Sequence, residues 1–255
     1  MTHPHLTATI DLGAIAHNVG VIQSHVGTAD IMAVVKADAY GHGLVPSARA
    51  AVAGGATWLG VALLSEALEL RRAGVTTPIL AWLYTADDVV GECLDLGIEL
   101  AVNSTWAVDM IARCAVEQGT VARVHIKVDT GLGRNGVTIA ELPEVVEHLM
   151  PHVREGVLEV TGAMSHFAYA DEPSHPTVLT QTQVFTDALR IIRDMGLDPE
   201  HIHLANSAAI MALPDTVFTM VRPGIALFGV TPSPQVFNPE MNLKPAMREC
   251  MHRLH

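Results

Sequence analysis

Eight short apolar runs, at residues 31–35, 57–62, 78–83, 98–102, 122–128, 158–164, 201–205 and 217–221, alternate with helical patterns along this chain. Strands that read as unbroken Val, Ile, Leu and Ala are buried on both faces, which is the condition of a parallel sheet covered by helices. Helical periodicity over 65–73, 104–118 and 177–195 supplies the covering layer. Eight repeats in 255 residues predict closure into a (β/α)₈ barrel. An open doubly wound sheet is the alternative, and it accounts less well for both the count and the length. One extra strand, 7–10, precedes the barrel, followed by a helix opening near Asp11 or Gly13. Four prolines within 231–245 mark a connection leaving the last repeat. The expected organisation is therefore a barrel with its extra strand over 1–230 and a connection and tail over 231–255.

Composition narrows the partners. Half of the residues are apolar and 16% are charged, enough for a sizeable core without disulfides. A formal net charge of −12 argues against nucleic acid or an anionic membrane as the main partner, since both demand clustered positive charge. A small molecule is expected instead. Cys93, Cys114 and Cys250 are odd in number, widely spaced and without a C-x-x-C, which fits a reducing cytoplasm better than a disulfide framework. The start MTHPHLTATIDL has no basic region or apolar segment of an export signal, and no later stretch is apolar for eighteen residues.

The first barrel strand ends abruptly in a lysine, within IMAVVKADAYGHG at 31–43. An amine at the mouth of an apolar core has its pKa lowered by desolvation and becomes nucleophilic, the setting in which lysines form Schiff bases. Strand-end lysines more often snorkel to solvent. Here only three lysines occur, Lys36, Lys127 and Lys244, against twelve arginines, so lysine is not general surface charge in this chain. Barrel enzymes carry their chemistry on the loops after the strands. Lys36, Lys127, Asp129, Arg134, His166, Asn206, Ser207 and Arg222 all fall at such ends. Asn206 and Ser207 open an Ala-rich segment able to start a short helix, where amides and a hydroxyl suit a phosphate. Gly224 and Ile225, after the eighth strand, could approach the same phosphate; an ordinary Asn-Ser N-cap is the alternative. GLGRNG, 131–136, matches G-x-G-x-x-G, but Asn135-Gly136 reads as a turn and Val137-Thr138 delays any helix, so it is rejected as a dinucleotide site. His201 and His203 share a strand face and His148 and His152 lie one turn apart, but Pro151 spoils the second pair and no metal is expected.

VVKADAYGHG, KVDTGLGRNG, SHFAYAD, LANSAA and VRPGIALFG, in this order, resemble the barrel domain of the alanine racemase family over about Thr7 to Met247. The resemblance implies a pyridoxal 5'-phosphate barrel followed by a β-domain, working as a cytoplasmic head-to-tail homodimer that interconverts L- and D-alanine for the cell wall. It makes Lys36 the Schiff-base lysine and the base on the D-alanine face. Tyr40, Ser207, Gly224 and Ile225 would hold the phosphate, with Asn206 beside them. His166 would pack near the ring, Arg134 would contact the phenolate oxygen, and Arg222 would hydrogen-bond the pyridine nitrogen. Lys127 matches a position that the family often carries as a carbamate.

The family's second base is a tyrosine from the partner's β-domain. The tyrosines here are Tyr40, Tyr84 and Tyr169, none matching it, and MRECMHRLH departs from the family pattern. The expectation is a truncated racemase barrel performing at most one half of the reaction, with the strand 7–10 left as an unpaired edge. A cofactor-binding barrel without turnover and a nonfunctional fragment are the alternatives.

Overall fold

A computed structural model describes residues 6–251. The chain opens with β1 (Leu6–Ile10) and α1 (Leu12–Val26), whose N-cap Asp11 accepts from the Ala14 amide at 3.0 Å. Then come β2 (Asp30–Val34), a left-wound turn α2 (Lys36–Gly41), α3 (Leu44–Ala53), β3 (Trp58–Leu63), α4 (Leu64–Arg72), β4 (Ile79–Leu83), α5 (Val90–Asp95), β5 (Glu99–Val102) and α6 (Thr105–Gln118). The second half holds β6 (Ala122–Asp129), β7 (Val137–Thr138), α7 (Leu142–Arg154), β8 (Leu158–Met164), α8 (Pro176–Asp194), β9 (His201–His203), α9 (Ser207–Ala212), β10 (Met220–Val221) and β11 (Met247–Met251).

The parallel strands run in the order β10-β2-β3-β4-β5-β6-β8-β9, with β7 a short appendage on β6. A bridge between Asn206 and Arg222 brings the ends of β9 and β10 together. The expected (β/α)₈ barrel is thus the observed fold. The last two strands are shorter than their apolar runs, and between them the Thr219 side chain takes the place of ladder bonds. Its hydroxyl accepts from the Ile202 amide at 2.7 Å and donates to the Glu200 carbonyl at 2.8 Å.

Two apolar clusters result. The larger fills the space between strands and helices, and the smaller, Met32, Trp58, Leu80, Ala101, Met164 and Met220, forms a separate cluster contributed mainly by the strands. His125 and His203 are fully buried beside them. A side chain at Gly162 would overlap the His125 ring, so glycine is required there.

Two sequence expectations are corrected. The strand 7–10 does not lack a partner: β1 pairs antiparallel with β11, from Leu6 opposite Met251 to Ile10 opposite Met247. The divergent tail forms a strand because a ladder is made by backbone groups, whatever the side chains. Pro151 does not break its helix, since α7 continues to Arg154 and Pro151 sits in its last turn. The His148 and His152 rings do meet, 6.3 Å apart, but His148 is taken by Asp109 at 2.6 Å.

The proline-rich connection folds back onto the barrel. Asn18 on α1, fully buried, donates to the carbonyls of Leu227 (2.9 Å) and Lys244 (2.8 Å) and accepts from the Lys244 amide (2.7 Å). Asn18→Ala would leave three backbone groups without partners in a dry site. The expected cost is on the order of 2–4 kcal/mol in urea unfolding; a loss below about 0.5 kcal/mol would show that the staple is not structural.

Candidate active site

The C-terminal ends of the barrel strands surround a cavity of about 440 Å³. Lys36, Tyr40, Lys127, Arg134, His166, Asn206, Ser207, Arg222, Gly224 and Ile225 all line it. Asp129 does not; its carboxylate accepts from the amides of Gly131 (2.9 Å) and Gly133 (3.1 Å), shaping the loop that carries Arg134. That loop is GLGRNG, and it leads into β7 rather than a helix, as the rejection of a dinucleotide motif requires.

Lys36 follows β2, half-buried. Burial lowers its pKa first, Arg134 adds to the effect and Glu66 opposes it. The chain then winds left-handed, with φ of 51° to 54° at Ala37, Asp38, Ala39 and Tyr40. Such conformations cost non-glycine residues about 1–2 kcal/mol each, so outside contacts must hold them. Glu66 accepts from the Ala37 amide at 2.5 Å with one oxygen and from Ala62 (2.9 Å) and Leu63 (3.0 Å) with the other. Asp38 accepts from the Leu44 amide at 2.7 Å. The turn brings the Tyr40 ring within 5.4 Å of Phe228 and its hydroxyl against Gly224, where a Cβ would overlap it. Burial raises the Tyr40 pKa, keeping the phenol a neutral donor.

Lys127 on β6 is 5% exposed. Burial, then Arg134 and Arg222, push it down to about 8. Burial and Arg222 push His166 down to about 3, leaving a neutral ring. Burial lowers Arg222 to about 9, so its guanidinium keeps its proton at neutral pH. Its Nη1 donates to the His203 carbonyl (2.7 Å) and Nδ1 (3.0 Å), and its Nη2 donates to the Ser165 (2.5 Å) and Leu204 (3.4 Å) carbonyls. Nη2 also lies 3.5 Å from His166 Nδ1. Nε has no partner among the described residues.

Asn206 caps α9, accepting from the Ala209 amide at 3.0 Å, and also faces the cavity. Ser207 Oγ instead accepts from the amides of Gly224 (2.9 Å) and Ala226 (3.2 Å), joining the seventh and eighth loops. Among the described residues no carboxylate forms an ion pair with Lys36, Lys127, Arg134 or Arg222. Asp171 is the one acid lining the cavity. Four basic groups against one acid, in a chain of net charge −12, make a site for an anion.

Sequence reasoning missed Glu99 and His125. His125 stands two residues before Lys127 and so on the same strand face, and Glu99 is an acid inside an apolar run. His203 belongs with these two, its Nε2 lying 2.7 Å from His125 Nδ1; among the described residues no group of three or more His, Cys, Asp or Glu gathers to hold an ion.

Fold and site together define a (β/α)₈ barrel with a lysine-bearing, anion-seeking cavity on its catalytic face. Residues 10–232 match the family model described as alanine racemase, N-terminal domain. Alanine racemases of Thermobifida fusca and Mycolicibacterium smegmatis are 46% and 47% identical over 94% and 93% of this chain, covering 64% and 61% of their own lengths. The solved alanine racemase of Streptomyces lavendulae superposes with a TM-score of 0.95 at 44% identity, over 98% of this chain and 65% of that one. The Bacillus anthracis alanine racemase, solved with bound L-Ala-P, gives 0.86 at 34%, over 98% and 64%. The chain belongs to the alanine racemase family, and spans about 64% of the length of curated relatives it matches.

The Lys127 shift has a consequence for stability. Its folded pKa of about 8 lies below the ordinary 10.5, so the unfolded chain binds this proton more tightly. The penalty is full below about pH 8 and is relieved as pH rises toward 10.5. In carbon dioxide-free buffer Lys127→Met should therefore raise the urea midpoint at pH 7, by a free energy on the order of 1–3 kcal/mol, and the gain should shrink above pH 8. A variant no more stable than the parent at pH 7 contradicts this reading.

Proposed function

We propose that this chain forms the pyridoxal 5'-phosphate site of an alanine racemase, with Lys36 carrying the cofactor and moving the α-proton on the D-alanine face. The observation that carries the reading is the pairing of a desolvated strand-end lysine with an Arg222 whose Nε alone is left for the cavity. The residues present fit the group. The Tyr40 and Ser207 hydroxyls both lie against Gly224, where a side chain would displace the phenol, and with the backbone of Gly224 and Ile225 they would take the phosphate. Asn206 lines the cavity beside them.

When bound, the cofactor supplies an electron sink for the Cα–H bond of an amino acid. The lowered pKa of Lys36 increases the neutral amine that can take that proton near neutral pH. Arg222, as a permanent donor, would hydrogen-bond the pyridine nitrogen without leaving a proton there, which restrains transamination. Arg134 would contact the phenolate oxygen, and His166, held neutral, would pack by the ring. A carbamate on Lys127 would turn a buried cation into an acceptor for Arg134, and its pKa of about 8 favours the free amine that carbon dioxide attacks. Residues 1–230 would be the cofactor barrel and 231–255 the connection and tail. The assignment of a cytoplasmic homodimer supplying D-alanine to the cell wall rests on the family. No helix of the described residues is long and apolar enough to cross a membrane.

The second reading, a cofactor-binding barrel without turnover, draws support from the cavity lining. Its one tyrosine, Tyr40, is committed to Gly224 and Phe228, so no second tyrosine lines the cavity with Lys36 among the described residues. Deuterium exchange at the α-carbon, with added pyridoxal 5'-phosphate and either alanine isomer, separates the two. Exchange from D-alanine alone, abolished in Lys36→Ala, is expected. No exchange from either isomer would leave the non-catalytic reading.

A further inference from the structure

A line of buried polar side chains crosses the barrel interior, and no step above uses most of it. Glu99 on β5, His125 on β6, His203 on β9 and Arg222 after β10 are each at most 6% exposed. Glu99 Oε2 lies 3.2 Å from His125 Nε2, His125 Nδ1 lies 2.7 Å from His203 Nε2, and His203 Nδ1 lies 3.0 Å from Arg222 Nη1. Glu99 is the one carboxylate among the buried described residues, and Lys127 and Arg222 are the lysine and arginine among them.

Donors and acceptors admit a single ordering. Guanidinium nitrogens only donate, so His203 Nδ1 presents a lone pair and the His203 proton sits on Nε2. That N–H needs an acceptor, so His125 Nδ1 is bare and its proton sits on Nε2, aimed at Glu99. The carboxylate only accepts, here also from Thr161 Oγ1 at 2.7 Å. Burial holds both imidazoles neutral, so the Glu99 contact is a hydrogen bond to a carboxylate and not an ion pair.

We propose that Glu99 is a positioning residue for Arg222, acting through His125 and His203. It ends the line with an acceptor, so every N–H points away from the cavity and Arg222 commits both Nη groups to the barrel while presenting Nε alone. Without that acceptor the His125 Nε2–H loses the one hydrogen-bond partner the described residues give it. The ring then reverses its proton, which sets two N–H groups against each other at His203 and releases the Arg222 Nη1 hydrogen bond to His203 Nδ1, leaving Nη1 held by the His203 carbonyl alone. The inference deepens, and rests on, the pyridine-nitrogen role proposed for Arg222.

The test uses the full chain with ¹⁵N-labelled histidine, free of cofactor at pH 7, as wild type, Glu99→Gln and Glu99→Leu. Glutamine keeps an acceptor oxygen and should preserve the proton on Nε2 of both rings; leucine should give mixed tautomers at His125 and His203. Affinities for pyridoxal 5'-phosphate and for 1-deazapyridoxal 5'-phosphate, which has carbon in place of the ring nitrogen, supply the second readout. Glu99→Leu should weaken the first by roughly tenfold and leave the second within about twofold. A wild-type proton on Nδ1 of either ring, unchanged tautomers in Glu99→Leu, or equal weakening of both ligands would overturn the proposal. If wild type bound neither ligand, the cofactor reading would fail, while the tautomers would still decide whether Glu99 orders the line.

Discussion

The Arg222 guanidinium joins the closure of the barrel to the floor of its cavity. Its backbone amide bonds to the Ala205 carbonyl at 2.9 Å, and its side chain ties down carbonyls at the ends of β8 and β9. The two shortest barrel strands, β9 and β10, meet at this point through one bridge. A buried cation is costly unless its donors are satisfied. Here backbone carbonyls and a neutral imidazole satisfy all but one, and the exception opens on the cavity. Structure and site therefore share one group: what holds the last strands also aims a donor.

Desolvation does the rest of the tuning. The barrel end removes water from Lys36, Lys127, His166 and Arg222 together, and burial is the first cause of lowering for each; Arg134 adds to it at Lys36, Lys127 and His166, and Arg222 at Lys127 and His166. Such a cluster is unstable as it stands and favourable once an anion enters. The site is built to receive negative charge. The left-handed turn after Lys36 fits the same account. Its strain is offset by Glu66 and Asp38, and its effect is to return Tyr40 to the cavity only four residues after the lysine.

Much of this was legible because apolar runs report burial on both faces. The runs located all eight barrel strands, and their polar ends located Lys36, Lys127, His166 and Arg222. Ser207 and Asn206 were legible as a pair, although their division of labour was not: one caps a helix while the other joins two loops. The turn at 37–40 was not legible, since Ala-Asp-Ala-Tyr has no preference for positive φ and the decision lies with Glu66, far along the chain. The pairing of β1 with β11 joins the two ends of the described residues, where no local pattern speaks. Glu99, His125 and His203 were invisible as a unit because an acid or a histidine inside a strand acquires meaning only when the barrel closes around it.

The most direct test of the account is to incubate the chain with pyridoxal 5'-phosphate, reduce with borohydride, digest, and locate the attached pyridoxyl group by mass spectrometry. Lys36 and Lys127 line the same cavity with lowered pKa values, so the measurement chooses between them. The account predicts label on Lys36 alone. Label on Lys127 or Lys244, or none at all, would contradict it.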